Sequence, residues 1–98
     1  MIIEMFAIRH IPTGNYLPAT DGFRLRGGTW AEPVAPTEKR MPRLHATHKT
    51  ARIVLTYWMK GKFSCYRDED GGEDITIIPQ KNRVFEDMEI VAISLEIP

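Results

Sequence analysis

Cysteine is nearly missing. Cys65 stands alone among 98 residues, so no disulfide within the chain can form and nothing points to an oxidising compartment. Long apolar runs are missing too, and no stretch approaches the ~20 residues of a membrane span. The opening Met1-Ile2-Ile3-Glu4-Met5-Phe6 has no basic segment and no extended apolar stretch, which is not the pattern of a signal peptide. The expectation is a cytoplasmic protein with no membrane partner. Net charge is zero, without the strong positive balance usual for a dedicated nucleic-acid domain.

The motifs of common site chemistry are also missing. His10, His45, His48 and Cys65 are the only soft ligands, and no C-x-x-C or H-E-x-x-H spacing gathers them, so no metal is expected. Asp68-Glu69-Asp70-Gly71 opens like a calcium loop, but the twelfth position, which needs a bidentate glutamate, is Pro79. Arg26-Gly27-Gly28-Thr29 has neither the spacing nor the lysine of a phosphate-binding loop. A chain this short has a small core, which argues against a large buried cofactor, and none is expected. Cys65 with a histidine would make a nucleophile–base pair only in outline, since its flanks carry no nucleophile signature. An enzyme is therefore the weaker reading: a small hydrolase or nucleotide-binding protein using Cys65, the histidines and Gly27-Gly28.

What is present suits one small α+β domain over residues 1–98, with 43% apolar and 27% charged residues. Residues 2–9 read as a strand with apolar side chains on both faces. Pro12-Thr13-Gly14-Asn15 turns it, and Tyr16-Leu17 begins a return, which suggests a hairpin over 2–18. Residues 19–43 are irregular. A short strand is expected at Phe23-Arg24-Leu25, a turn or bulge at Gly27-Gly28-Thr29-Trp30 with the tryptophan as anchor, and a loop from Pro33 to Pro42.

Residues 47–60 form the clearest helix. Thr47 suits the N-cap, and Ala51, Val54, Leu55 and Trp58 make an apolar stripe. His48, Arg52, Thr56 and Lys60 lie on the wet face, and Gly61 suits the C-cap. Strands follow at Phe63–Arg67 and Ile75–Ile78 around an acidic turn. A polar connection, Gln80–Asp87, leads to the strongest strand, Met88–Ile97, with Val91, Ile93, Leu95 and Ile97 on one face. The architecture expected is a small antiparallel or mixed β-sheet with one helix, about 47–60, packed across it and Trp58 in the core.

Charge is divided along the chain. Residues 1–67 hold eleven Lys/Arg against four Asp/Glu, a surplus of seven positive charges; residues 68–98 hold two against nine, the same surplus of negative. The ordinary explanation is that the halves neutralise each other in the fold. A partner of opposite charge for one of them is the sharper one. The candidate binding residues are Arg24, Arg26, Trp30, Arg40 and Arg43 in the irregular region, with His48, Lys49 and Arg52 on the helix. They would serve a protein partner or, as an alternative, the phosphates and bases of a nucleic acid. The acidic connections would instead suit a basic partner. A homo-oligomer through a free sheet edge, with Met88–Ile97 as that edge, is the third possibility.

Four blocks then carry a resemblance. They are Met5-Phe6-Ala7-Ile8-Arg9-His10 with Pro12-Thr13-Gly14 and Leu17-Pro18; Arg26-Gly27-Gly28-Thr29 with Glu32-Pro33; Pro42-Arg43-Leu44 with Ala51 and Leu55-Thr56-Tyr57-Trp58-Met59-Lys60-Gly61; and Glu86-Asp87-Met88-Glu89-Ile90-Val91. Together they resemble small uncharacterised proteins encoded by tailed bacteriophages and prophages, with no fixed pattern over 63–85. The resemblance implies a protein made in the bacterial cytoplasm and brings no catalytic residues. Phage accessory proteins of this size are often binders that redirect or block a host factor, host defence included, which is analogy by class. The expectation is a non-enzymatic interaction protein that binds a host or phage macromolecule.

Overall fold

The computed structural model describes residues 1–19, 25–67 and 69–98, leaving aside the side chains of 25–27, 65–67 and 73. In chain order the elements are β1 (Ile2–His10), α1 (Leu25–Trp30), α2 (His48–Lys60), β2 (Lys62–Arg67), β3 (Glu73–Ile78), a 3₁₀ turn (Phe85–Asp87) and β4 (Met88–Glu96). The class is the expected α+β, with antiparallel pairing and one main helix. The strands form two separate ribbons, β1 with β4 and β2 with β3, where a single sheet was expected.

α2 forms where the apolar stripe places it. Thr47 is extended (φ −133°, ψ 154°), and its hydroxyl accepts a hydrogen bond from the Thr50 N–H at 3.1 Å, satisfying one free amide of the first turn. Ala51, Leu55 and Trp58 are buried, whereas His48, Arg52, Thr56 and Lys60 are exposed, as their spacing requires. The core joins these three to Ile8 and Leu17 from the first hairpin and to Met88, with Phe6, Val54, Met59 and Ile90 around them. α2 therefore covers the ribbon face that carries Phe6, Ile8, Met88 and Ile90. The face bearing Val91, Ile93 and Leu95 is the opposite one.

β1 and β4 pair along their whole length, from Ile2 opposite Glu96 to His10 opposite Met88. The other edge of β1 is covered by irregular chain. Tyr16 bridges to Arg9, the Leu17 N–H donates to the Ile8 carbonyl, and His45 exchanges both backbone hydrogen bonds with Phe6 at 2.7–2.8 Å. The return after Gly14 is thus too short to be a strand. Residues 34–45 run beside it through the Tyr16–Val34 and Pro18–Pro42 bridges, so the loop expected there is tied down at both ends.

Leu25–Trp30 corrects the reading of that stretch: it is a one-and-a-half-turn helix, where the end of a strand and a bulge were expected. Phe23 and Arg24 lie outside the described residues. Two adjacent glycines disfavour a helix locally, but tertiary contacts hold this one. Buried Thr29 accepts from the Phe63 N–H at 3.0 Å, and the Trp30 indole donates to the Phe63 carbonyl at 2.7 Å. A Cβ at Gly28 would meet the Arg43 guanidinium at 2.7 Å, a contact that the flexible arginine side chain relieves by moving.

The molecule measures 51 × 30 × 26 Å, with a radius of gyration of 14.9 Å. A compact chain of this length has about 13 Å. No helix among the described residues is long and apolar enough to cross a membrane.

Candidate functional site

The feature that stands out is the outer edge of β4. β1 is its one strand partner among the described residues. Alternation along the pair decides which backbone groups face outward. Phe6, Ile8 and His10 use their backbone groups on the hairpin and His45 side, away from β4. Their partners Ala92, Ile90 and Met88 must also point away from the pair, and Ser94 and Glu96 follow by period two. Five residues thus turn their backbone groups toward an edge that no other strand covers among the described residues; the Met88 N–H is already given to the Phe85 carbonyl, and the other four offer both N–H and C=O. Proteins usually protect such edges with lysine, proline or a bulge. Between Glu89 and Glu96 this strand runs Ile-Val-Ala-Ile-Ser-Leu, with no charge and no proline.

A groove of about 310 Å³ lies against the start of this edge. α2 supplies His48, Arg52, Leu55 and Thr56, the 3₁₀ turn supplies Phe85, and β4 supplies Met88 and Ile90. Phe85 is 59% exposed, a high value for a phenylalanine beside a core. No partner for the Arg52 guanidinium occurs among the described residues. The groove's carboxylate, Glu89, is already engaged with Arg9 at 3.2 Å. The groove is therefore apolar at its floor and basic on its helix side.

The predicted binding residues do not form one patch. Arg24 lies outside the described residues, as does the side chain of Arg26. Arg40 is exposed on a turn whose N–H is bound by the Thr37 hydroxyl at 3.0 Å. Arg43 packs against Gly28 and beside His45. Trp30 is an anchor, as expected, but its ring remains 48% exposed, with the Lys62 ammonium 5.1 Å from its centre. His48 meets Phe6 edge-on at 5.8 Å, Lys49 is exposed on α2, and Arg52 lines the groove. The helix members and the loop members thus belong to different places. Of the enzyme-type residues, the Cys65 side chain lies outside the described set. His10 bonds the Thr13 hydroxyl at 2.7 Å, and His45 sits in the core wall.

His45 has a consequence for stability. It borders a gap of about 10 Å³ with Ile8, Leu17 and Val54. Its pKa is lowered from 6.5, first by burial and then by the neighbouring Arg43 charge. The unfolded chain therefore takes up a proton near pH 6.5 that the folded chain refuses. Stability from this residue is complete above that pH and declines as pH falls through 6.5 toward the folded value. Between pH 7.5 and 5.5 the urea midpoint should drop, and His45→Gln should flatten the drop. Equal slopes in both proteins would assign the pH dependence to other groups.

Sequence reading missed Arg83, which it placed in a polar connection. Arg83 is buried, and its guanidinium holds the Thr29 and Trp58 carbonyls, both at 2.7 Å, and the Glu32 carboxylate at 2.8 Å. It lies over the Trp58 ring, 4.1 Å from the centre. The available signal was slight: one arginine in the acidic half, followed by Val84-Phe85.

No family model matches the chain, and no curated protein or solved structure does either.

Proposed function

We propose that this chain is a non-enzymatic interaction module that receives an extended segment of a protein partner along β4, with partner side chains entering the α2–β4 groove. The observation that carries this reading is the uncovered, uncharged edge of β4 lying directly beside a groove with an apolar floor and a basic wall. Strand addition takes its affinity from main-chain hydrogen bonds and its specificity from pockets that receive alternate side chains. Phe85, Met88 and Ile90 suit an apolar side chain, and Arg52 and His48 suit an acidic one. The resemblance to small phage proteins supports a bacterial cytoplasmic setting and a host or phage protein as the partner.

A displayed library of random linear peptides tests this. Selection on the native protein should converge on alternating apolar and acidic residues, and binding should fail in Ala92→Pro. Proline at 92 removes an outward N–H and leaves the β1–β4 ladder intact. Sequences with no common pattern, or equal binding to Ala92→Pro, would end this reading. Labelled duplex and single strand belong in the same assay. Salt-sensitive binding lost in Arg40→Glu/Arg43→Glu would move the function to a nucleic acid on the basic loop.

A further inference from the structure

We infer that, in the absence of another partner, the segment occupying the β4 edge is β4 of a second copy of this chain. The pairing is antiparallel about a two-fold axis at Ala92, which gives a four-stranded sheet β1–β4–β4–β1. This inference rests on the strand-addition reading above and names the occupant of that site.

Backbone geometry restricts the register. Met88, Ile90, Ala92, Ser94 and Glu96 point outward. In an antiparallel pair, outward residues must face outward residues, so only shifts of two are allowed. Centring on Ala92 spans all nine residues of β4, with each outermost Met88–Glu96 pair joined by the Glu96 N–H to the Met88 carbonyl alone, since the Met88 N–H is held by the Phe85 carbonyl. It sets Ile90 opposite Ser94, Val91 opposite Ile93 and Met88 opposite Glu96. No acid then faces an acid: Glu89 meets Leu95, and Glu96 meets Met88. Glu89 opposite Glu96 would require an odd shift, which the outward pattern forbids.

Three properties of the surface favour a second copy over an unrelated peptide. First, the charges complement. Glu96 lies on the same ribbon face as Met88 and Ile90, the face that α2 covers. Directly opposite residues have Cβ atoms about 5 Å apart. The carboxylate of Glu96 from one copy therefore enters the groove of the other on the side of Arg52 and His48, and the two-fold axis makes this contact twice. Second, the apolar row on the opposite face continues across the axis. Val91 and Ile93 of one copy lie beside Ile93 and Val91 of the next, in line with Met5 and Ala7, which oppose Ile93 and Val91 within each copy. Third, zero net charge puts no long-range repulsion between copies. β3 is also an outer strand, but it is shorter and begins with Glu73-Asp74.

Strand pairing of this kind buries less than the roughly 800 Å² per partner of a standard interface, so association in the micromolar range is expected. Sedimentation velocity from about 1 to 300 µM tests it. The native protein should shift from monomer to dimer over that range. Ala92→Pro and Ala92→Lys, the latter opposing like charges across the axis, should each raise the dissociation constant by at least about tenfold. Arg52→Glu and Glu96→Arg should each weaken the dimer, and the double reversal should recover most of the loss. A change that only disturbed folding would show no such recovery. Circular dichroism of each variant controls for folding.

A native protein that stays monomeric at 300 µM overturns the inference, as does a dimer indifferent to both substitutions at 92. The strand-addition reading fails separately. If the native protein is monomeric yet selected peptides bind and are lost in Ala92→Pro, the site stands and the second copy is wrong. If Ala92→Pro abolishes neither peptide binding nor dimerisation, both are wrong.

Discussion

Arg83→Met is expected to bring this domain close to unfolding, at a cost of about 3–5 kcal/mol. The guanidinium ties three parts of the chain that share no strand pairing: the end of α1 through the Thr29 carbonyl, the loop just after α1 through Glu32, and the last turn of α2 through the Trp58 carbonyl. The two carbonyls are in the last turn of their helices, where acceptors have no partner within the helix. Methionine keeps much of the volume but donates nothing. The Thr29 carbonyl would lose this donor and Glu32 its cation, while the Trp58 ring would lose the charge stacked on it. A hydrogen bond from a charged donor is worth about 1.5–3 kcal/mol, and Arg83 makes three. A domain of this size has a total of about 5–10 kcal/mol. Arg83→Lys should recover little, because an ammonium cannot span three acceptors in one plane or stack as a guanidinium does. Urea denaturation monitored by tryptophan fluorescence measures the effect. A loss below about 1 kcal/mol for Arg83→Met would mean that water replaces the donor at little cost.

The same residue shows where sequence reading stops. α2 was legible because its signals are local: a threonine cap, a stripe at helical spacing and a closing glycine. β1, β2, β3 and β4 were legible to within a residue or two for the same kind of reason. Their partners were not. A single sheet was the economical arrangement, but Gly61 and the corner around Trp58 turn β2 and β3 away from β1 and β4, and no pattern in the strands encodes that turn. α1 was misread because Gly27-Gly28 oppose a helix locally, while its support comes from Phe63 and Arg83, 34 and 54 residues beyond Thr29. The binding residues divide in the same way. His48 and Arg52 share a face by spacing and remain together in the groove, whereas Arg40 and Arg43 were grouped with them by nearness in sequence alone. Phe85 completes the groove from what looked like a polar connection. The final strand was recognised as a possible free edge, although which of its backbone groups face outward depends on the pairing of β1 with His45 and Leu17.

Gly61→Ala is the second substitution expected to have a large effect, about 3–5 kcal/mol, and it acts at the same corner. Gly61 has φ 128° and ψ −167°, a region open to glycine and strained for any residue with a Cβ. A Cβ there would overlap the Ile78 carbonyl, and Pro79 adjoins it, so backbone would have to move. Neither neighbour can yield cheaply. Ile78 is paired with Lys62 at the start of the β2–β3 ribbon, and the Gly61 N–H itself donates to the Trp58 carbonyl at 3.1 Å. That carbonyl is the one Arg83 holds. The two substitutions therefore release one shared acceptor and the same junction between α2 and β2. Their effects should depart from additivity by at least about 0.5 kcal/mol, as for residues in one hydrogen-bond network. A milder pair such as Gly61→Ala with Arg83→Lys keeps enough folded protein to measure the cycle. Full additivity would show that Arg83 and Gly61 stabilise the corner independently, with Arg83 acting mainly through Thr29 and Glu32.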